Sequence, residues 1–190
     1  GNIYSYRTDL TVADTVLANS SQYGLRSYQA GLALSNLEVF GNSSTGLNLE
    51  QSGVHTLTGS RIFANFGHGI YLTGSTGLTV SGSEIFGNVG NGLYNNGSQA
   101  IVATGNWWGA ADGPSGDEAG SGDQVVNISS GSIDASGFLT DGSEFSYFNA
   151  GPNLSEGTIA GPTATQGTDS SEFGSSAATR LLYDLDQVIL

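Results

Sequence analysis

The chain has 190 residues, a formal net charge of −13 and no cysteine, and 37% of its residues are hydrophobic while 11% are charged. This composition excludes a disulfide-stabilised fold and a disordered chain, and the negative charge disfavours binding to nucleic acid or anionic lipid. The 30 glycines disfavour a helical bundle, and no apolar run reaches the length of about 20 residues that a membrane-spanning helix needs. A turn-rich all-β protein fits these numbers.

An internal repeat of 23 residues organises the first part of the chain. In each repeat an apolar run precedes an asparagine, and a glycine after the asparagine opens a second, alternating run. These runs predict about three short strands per repeat, separated by turns. The repeated asparagines are Asn19, Asn42, Asn65 and Asn88.

Stacking of these repeats predicts a parallel β-helix, because one repeat cannot bury its own apolar face. Crossovers between parallel strands are overwhelmingly right-handed, so we expect a right-handed solenoid of about five coils over residues 1–140. Equivalent strands then lie about 4.8 Å apart, with like side chains over one another. We expect the four asparagines to form a ladder of side-chain amides at an internal turn; the alternative is that they are turn formers only.

Two aromatic columns follow from the same repeat. Alternation points one of them outward, whereas the other lies beside a turn and can face either way. Exposed aromatic columns suit stacking on sugar rings or sealing a subunit interface. The outward column contains Tyr71 and Tyr94, and the other contains Phe40, Phe63 and Phe86.

A charged column and two histidines are the other candidates for chemistry. Glu38, Arg61 and Glu84 lie one repeat apart and predict surface ion pairs worth at most about 1 kcal/mol each. A polysaccharide lyase or epimerase needs clustered carboxylates with a base, and the chain shows no such cluster, so we expect no enzyme activity. His55 replaces leucine in a core column and His68 lies in a turn, and neither has the spacing of a zinc site.

The segment after the last repeat contains Asn106-Trp107-Trp108-Gly109, followed by Gly113-Pro114. Together with the repeats, it resembles the right-handed parallel β-helix repeat family of bacterial and archaeal secreted and surface proteins, in which an Asn-Trp-Trp-Gly and Gly-Pro element closes the coil stack. The resemblance covers roughly residues 10–140 and implies this fold and an extracellular or cell-surface location, but it says little about activity. Trp108 falls in an apolar column, so we expect its indole to cap the core.

The C-terminal part, residues 141–190, differs in composition from the repeats. Most of the 17 acidic residues lie from Asp112 onward, and a stretch rich in glycine, serine and threonine predicts an extended acidic segment. The segment ends in an apolar, alternating run that predicts a docking strand able to add to an exposed sheet edge. Together with the open ends of a β-helix, this strand predicts self-association through residues 1–9 and 177–190.

Calcium binding and glycosylation are two further hypotheses, and no other cofactor is expected. An acidic loop suits calcium, which takes six to eight oxygen ligands, although a solvated loop is the alternative. The carboxylates of this loop are Asp112, Asp117, Glu118 and Asp123. Asn19 and Asn42 begin glycosylation sequons, but an amide buried in a ladder cannot carry a glycan. The candidate glycosylation sites are therefore Asn96, Asn127 and Asn153.

The sequence thus predicts an extracellular structural or adhesive β-helix module that forms a subunit of a cell-surface or filamentous assembly. A carbohydrate-binding module that uses the aromatic columns is the alternative function. A polysaccharide lyase or epimerase ranks below both.

Overall fold

The computed structural model describes residues 2–142, and every regular element within them is a β-strand that pairs in parallel with its neighbours. The appendage predicted at residues 141–190 lies outside these residues except for its first two. The strands are β1 (Ile3–Tyr6), β2 (Leu10–Ala18), β3 (Leu25–Tyr28), β4 (Leu32–Phe40), β5 (Leu47–Thr58), β6 (Arg61–Phe63), β7 (Ile70–Ser81), β8 (Glu84–Phe86), β9 (Leu93–Gly97), β10 (Ala100–Val102), β11 (Pro114–Gly116), β12 (Gly122–Asn127) and β13 (Ser132–Asp134).

Three walls of stacked strands enclose the core. The first wall contains β1, β3, the first parts of β5 and β7, then β9, β12 and β11. The second wall contains the first parts of β2 and β4, the last parts of β5 and β7, then β10 and β13. The third wall contains the last parts of β2 and β4, then β6 and β8. The predicted parallel β-solenoid is confirmed.

The solenoid has about four turns, fewer than the expected five or so, because the third wall ends early. Beyond β8 this wall continues only as an isolated bridge between Glu84 and Trp107. Trp108 follows that bridge and is fully buried. Its indole thus continues the apolar column one step beyond Ile85, as the sequence indicated, and its role as a cap stays a prediction.

Inward-facing aliphatic columns fill the space between the walls. On the first wall Leu25, Leu47, Ile70 and Leu93 lie over one another and are at most 1% exposed. Burial of such a side chain stabilises the fold by about 1.5–3 kcal/mol, so each coil adds several such contributions. The core is a continuous stack rather than a cluster.

The coils near the N-terminus are one residue shorter than the later coils, since Ile3, Leu25 and Leu47 follow one another on the first wall at steps of 22 residues. Leu17 pairs with Val39 across a step of 22 residues, whereas later steps take 23. The backbone turns at Asn19 with φ of 55°, and Asn19 is exposed. The prediction that Asn19 belongs to the ladder is therefore wrong. Ser20 takes the buried position instead, and its backbone N–H donates to Asn42 Oδ1 at 3.0 Å.

The asparagine ladder runs through Asn42, Asn65 and Asn88. Asn42 Nδ2 donates to Asn65 Oδ1 at 2.9 Å, and Asn65 Nδ2 donates to Asn88 Oδ1 at 3.0 Å. The ladder ends on a carboxylate, because Asn88 Nδ2 donates to Asp123 Oδ2 at 2.9 Å. Burial raises the pKa of Asp123, although hydrogen bonds from Asn88 and Gly87 lower it. Asp123 is thus the terminal acceptor of the ladder.

A second polar ladder, which the sequence did not suggest, lies at the opposite edge of the third wall. Ser60 Oγ accepts the backbone N–H of Leu37 at 3.0 Å, and Ser83 Oγ accepts that of Ser60 at 3.1 Å. Asn106 Oδ1 accepts that of Ser83 at 3.0 Å. Buried backbone groups at both edges of this wall therefore have partners, which fixes the register of the coils.

Candidate functional site

The outward face of the first wall carries two columns of side chains, and we call this face the tyrosine wall. Its strands are β1, β3, the first parts of β5 and β7, and β9. One column contains Tyr4, Arg26, Asn48, Tyr71 and Tyr94, and the other contains Tyr6, Tyr28 and Glu50. Of the tyrosines in residues 2–142, Tyr23 alone lies outside these columns, in the turn before β3. Tyrosine is therefore concentrated on one face.

At the C-terminal half of the tyrosine wall, three rings form a cluster. The Tyr71 and Tyr94 rings are stacked with centroids 5.7 Å apart. The His68 ring comes from the preceding turn and stacks on both, 5.8 Å from Tyr71 and 4.7 Å from Tyr94. His68 Nδ1 accepts the backbone N–H of Asn91 at 3.0 Å. The prediction of His68 as a turn residue thus missed its place in this cluster.

At the N-terminal half of the wall, tyrosines surround an ion pair. Tyr4 and Tyr6 are 58% and 51% exposed, and Tyr6 stacks on Tyr28 with centroids 5.5 Å apart. Arg26 lies over the Tyr4 ring at 5.5 Å and donates to Glu50 at 2.7 Å. The half-exposed guanidinium is therefore paired within the wall.

The chemistry of this face is that of a flat, amphipathic contact surface. Tyrosine rings offer apolar faces for stacking, and their hydroxyls donate and accept hydrogen bonds. The positive charge of Arg26 is offset by Glu50, whereas the exposed Arg7 lies 5.1 Å from the Tyr6 ring centroid and adds positive charge at the N-terminal end of the face. Burial lowers the pKa of His68 below its usual value, which favours the neutral ring.

The phenylalanine column lies on the third wall. Phe40, Phe63 and Phe86 alternate with buried core residues and therefore face outward, where they are half-buried. Their rings stack with centroids 5.0 and 5.3 Å apart. Arg61 lies over two of these rings and shields them in part. This column is less open to a ligand than the tyrosine wall.

Comparison with known proteins settles the family. The family model for the right-handed β-helix region matches residues 1–138, which is most of the chain and nearly all of the described solenoid. The chain belongs to the right-handed β-helix family. No curated protein and no solved structure matches this β-helix.

The charged column of the β-helix forms the predicted ion pairs, but its two carboxylates are buried, so the prediction that they lie on the surface is wrong. Glu38 and Glu84 are 3% and 2% exposed. Arg61 bridges them, with nitrogen to oxygen distances of 3.3 Å to Glu38 and 2.8 Å to Glu84. Burial raises the pKa of both carboxyls, even though the neighbouring Arg61 lowers it. Strand alternation places these side chains outward, but it does not tell how much of each is covered.

The acidic loop of the β-helix does not gather its carboxylates around a metal. Asp112 accepts a hydrogen bond from a serine hydroxyl at 2.8 Å, Asp117 accepts a backbone N–H at 2.6 Å, and Asp123 ends the asparagine ladder. Glu118 is exposed. No group of three or more acidic, histidine or cysteine residues within residues 2–142 could hold a metal ion. The structure thus does not bring these four carboxylates into one cluster, and calcium binding by this loop stays a prediction.

The candidate glycosylation sites differ in their surroundings. Asn96 is exposed on β9, where a glycan has room. Asn127 accepts from Asn95 and donates to two backbone carbonyls, so its amide is fully engaged and unsuited to a glycan. Asn153 lies outside the described residues. Asn19 is exposed, which removes the argument that a ladder protects its sequon.

His55 lies in the core, as expected from its column. It stacks between Leu32 and Leu78, is fully buried, and neither ring nitrogen has a hydrogen-bond partner. Burial lowers its pKa to about 4, although Asp9 opposes this shift. His55 is therefore a neutral core residue, and because burial disfavours its charged form, it lowers the stability of the fold as pH falls toward 4.

Several residues of the tyrosine wall escaped the sequence analysis. Tyr4 reaches the column of Tyr71 through two steps of 22 residues, so a strict 23-residue register does not align the two residues, and Tyr6 and Tyr28 lie in the other column with Glu50. The glycines Gly24 and Gly46 are 22 positions apart in the sequence, and this spacing was the available signal.

In the part of the chain that the structure describes, no helix is long and apolar enough to cross a membrane.

Proposed function

We propose that this β-helix is an extracellular, non-catalytic module of a structural or adhesive kind. In this proposal the coil stack is a rigid support, and the tyrosine wall is its contact surface for polysaccharide. The observation that carries the proposal is the concentration of tyrosines on one face. Scattered exposed aromatics need no explanation, but several of them on one face are typical of a binding surface.

The rigidity of the support favours this function. Strands on the first wall are held in register by ladder hydrogen bonds in every coil, and polar ladders flank the third wall. A surface that is ordered before binding loses little conformational entropy on contact, which raises affinity. A flat, stiff array of rings therefore suits an extended polymer.

The extracellular location belongs to the same proposal, and composition supports it. The chain has a formal net charge of −13 with only four basic residues. A surface of this kind repels nucleic acid phosphates and anionic lipid and leaves neutral polymers as compatible partners.

Sedimentation with insoluble polysaccharides tests the proposal. The full chain is mixed with cellulose, chitin, xylan, mannan and native cell-wall material, and the bound fraction is compared with that of a variant with serine at positions 4, 6, 28, 71 and 94. We expect the wild type to sediment with at least one polymer and the variant to remain in solution. Equal binding of both proteins contradicts the proposal, and release of shortened or unsaturated sugars favours the lyase or epimerase alternative.

Self-assembly is a second candidate, and the edge strand β1 favours it. Within residues 2–142, β1 pairs with β3 alone, and it presents the exposed rings of Tyr4 and Tyr6. An unpaired strand edge is a template for another chain. Light scattering of the full chain and of a chain lacking residues 177–190 tests this candidate: we expect assembly of the former alone, and a monodisperse monomer of the full chain contradicts it.

A further inference from the structure

The cluster of His68, Tyr71 and Tyr94 has the geometry of a single binding subsite. The three rings are nearly parallel, with interplanar angles of 16°, 17° and 14° for the three pairs. All three side chains are half-buried, so each keeps part of its surface open to solvent. The cluster is the only part of the tyrosine wall within residues 2–142 where three rings from adjacent coils meet in pairwise stacks.

The tautomer of His68 is fixed by its backbone contact. Because Nδ1 accepts the Asn91 N–H at 3.0 Å, the neutral ring carries its proton on Nε2. The contact is close: a Cβ at Gly90 would lie 2.9 Å from Nδ1, so a larger residue there would displace the ring. The fold therefore holds an N–H donor beside two aromatic faces.

The charges around the cluster favour a neutral ligand. Asn48 neighbours Tyr71 in the same column and donates to Glu50 at 2.7 Å. Arg26, the nearest cation along the column, is paired with the same Glu50. The exposed Arg7 lies over Tyr6 at the opposite end of the wall, so the nearest cation along the column of the cluster is the paired Arg26, whereas hydroxyls of a neutral sugar find both a donor and aromatic rings.

We propose that His68, Tyr71 and Tyr94 form a subsite for a neutral sugar ring of a polysaccharide, with the rings as the stacking platform and His68 Nε2–H as a donor to a sugar oxygen. This inference rests on the proposed function and adds the place and the chemical class of the ligand. His68 is then the residue that gives the subsite its preference for an oxygen acceptor. The tyrosines supply the greater part of the contact area.

Titration calorimetry of the full chain tests the subsite with soluble hexasaccharides of cellulose, xylan, mannan and β-1,3-glucan, and with hexagalacturonate as the anionic comparison. We expect binding of a neutral hexasaccharide and none of hexagalacturonate. His68→Phe keeps a ring and removes the donor, and the loss of one neutral hydrogen bond weakens binding about fivefold. Tyr94→Ala removes a stacking face, and we expect a loss of about tenfold or more. Phe40→Ala, which removes a half-buried ring on the third wall, is the matched control and keeps wild-type affinity.

The inference is overturned if hexagalacturonate binds as well as the neutral sugars, if His68→Phe binds like the wild type, or if Phe40→Ala loses as much affinity as Tyr94→Ala. Each variant is first checked by thermal unfolding, and Tyr94→Leu replaces His68→Phe as the decisive variant if the latter does not fold. If the wild type sediments with a polysaccharide, the variant with serine at the wall tyrosines does not, and His68→Phe and Tyr94→Ala still do, this subsite alone is refuted. Absence of any sedimentation refutes the proposed function with it.

Discussion

Replacing Arg61 with methionine removes the cation that bridges two buried carboxylates, and we expect the folded state to lose about 3–5 kcal/mol at neutral pH. Glu38 and Glu84 are both less than 5% exposed, and Arg61 contacts them at 3.3 and 2.8 Å. Methionine retains much of the packing over Phe63 because its chain is long and apolar. The loss therefore arises chiefly from two carboxylates left buried without a partner.

The sign of the pH dependence follows from the two carboxyls. Burial raises the pKa of Glu38 and of Glu84 in the folded state, so each contributes stability below its unfolded pKa of about 4.3 that is lost as pH rises through the folded value. Arg61 lowers both pKa values, and without it they rise further. The cost of Arg61→Met is therefore large at about pH 7.5 and shrinks toward pH 4.5.

Urea denaturation at both pH values measures this cost, and Arg26→Met is the matched control. Arg26 forms an ion pair of 2.7 Å with Glu50, but its side chain is 39% exposed, so its removal costs at most about 1 kcal/mol and the cost falls in high salt. Equal costs for the two variants, or a cost of Arg61→Met that does not change with pH, would refute the reasoning. Adding Glu38→Gln and Glu84→Gln to Arg61→Met restores stability at neutral pH if the buried charge is the cause.

Three further substitutions test the interior. Asn65→Ala breaks two rungs of the ladder and leaves buried amide groups without partners, so we expect urea denaturation to show a loss of about 2–4 kcal/mol. The control is alanine at the exposed Asn96, which should change stability by less than about 0.5 kcal/mol. Similar costs for the two variants would show that the ladder is dispensable. His55 has a folded pKa of about 4 against 6.5 when unfolded, so the wild type loses about 3 kcal/mol as pH falls from 6.5 to 4. His55→Leu should abolish this loss, and an unchanged pH profile would contradict the burial of a neutral ring. Trp108→Ala opens a cavity at the end of the core and should cost about 3–5 kcal/mol, with a small effect showing that the indole is not the cap.

The walls and their order follow from the sequence because they depend on local alternation and on a repeat with few exceptions. The 23-residue register placed Asn19 in the ladder wrongly, and the reason is physical. The strand register is set by the burial of Leu17 against Val39, not by the identity of a polar residue that recurs at the turn. The same shift turns Val16 to solvent, at 45% exposure. Columns of leucine and glycine were the better guide, since they report the inward face directly.

Contacts between residues outside the repeat were beyond sequence reasoning. Asp123 lies 35 residues after Asn88, so no periodic pattern joins them, yet it completes the ladder. Serine is also a weak sequence signal for a buried ladder, so the sequence did not predict the ladder through Ser60 and Ser83. The 23-residue repeat predicted Tyr71 and Tyr94 of the tyrosine wall. The strand pairing of the structure was needed to place the other tyrosines on the same wall.

Hydroxyl-radical footprinting of the β-helix, with and without the polysaccharide that it sediments with, measures the contact surface directly. We expect protection of Tyr4, Tyr6, Tyr71 and Tyr94 on the tyrosine wall, because a bound polymer covers their exposed ring atoms. Phe63, on the third wall, should be labelled equally in both samples. Protection of Phe63 with unchanged labelling of the tyrosines would contradict the claim that the tyrosine wall is the face that binds.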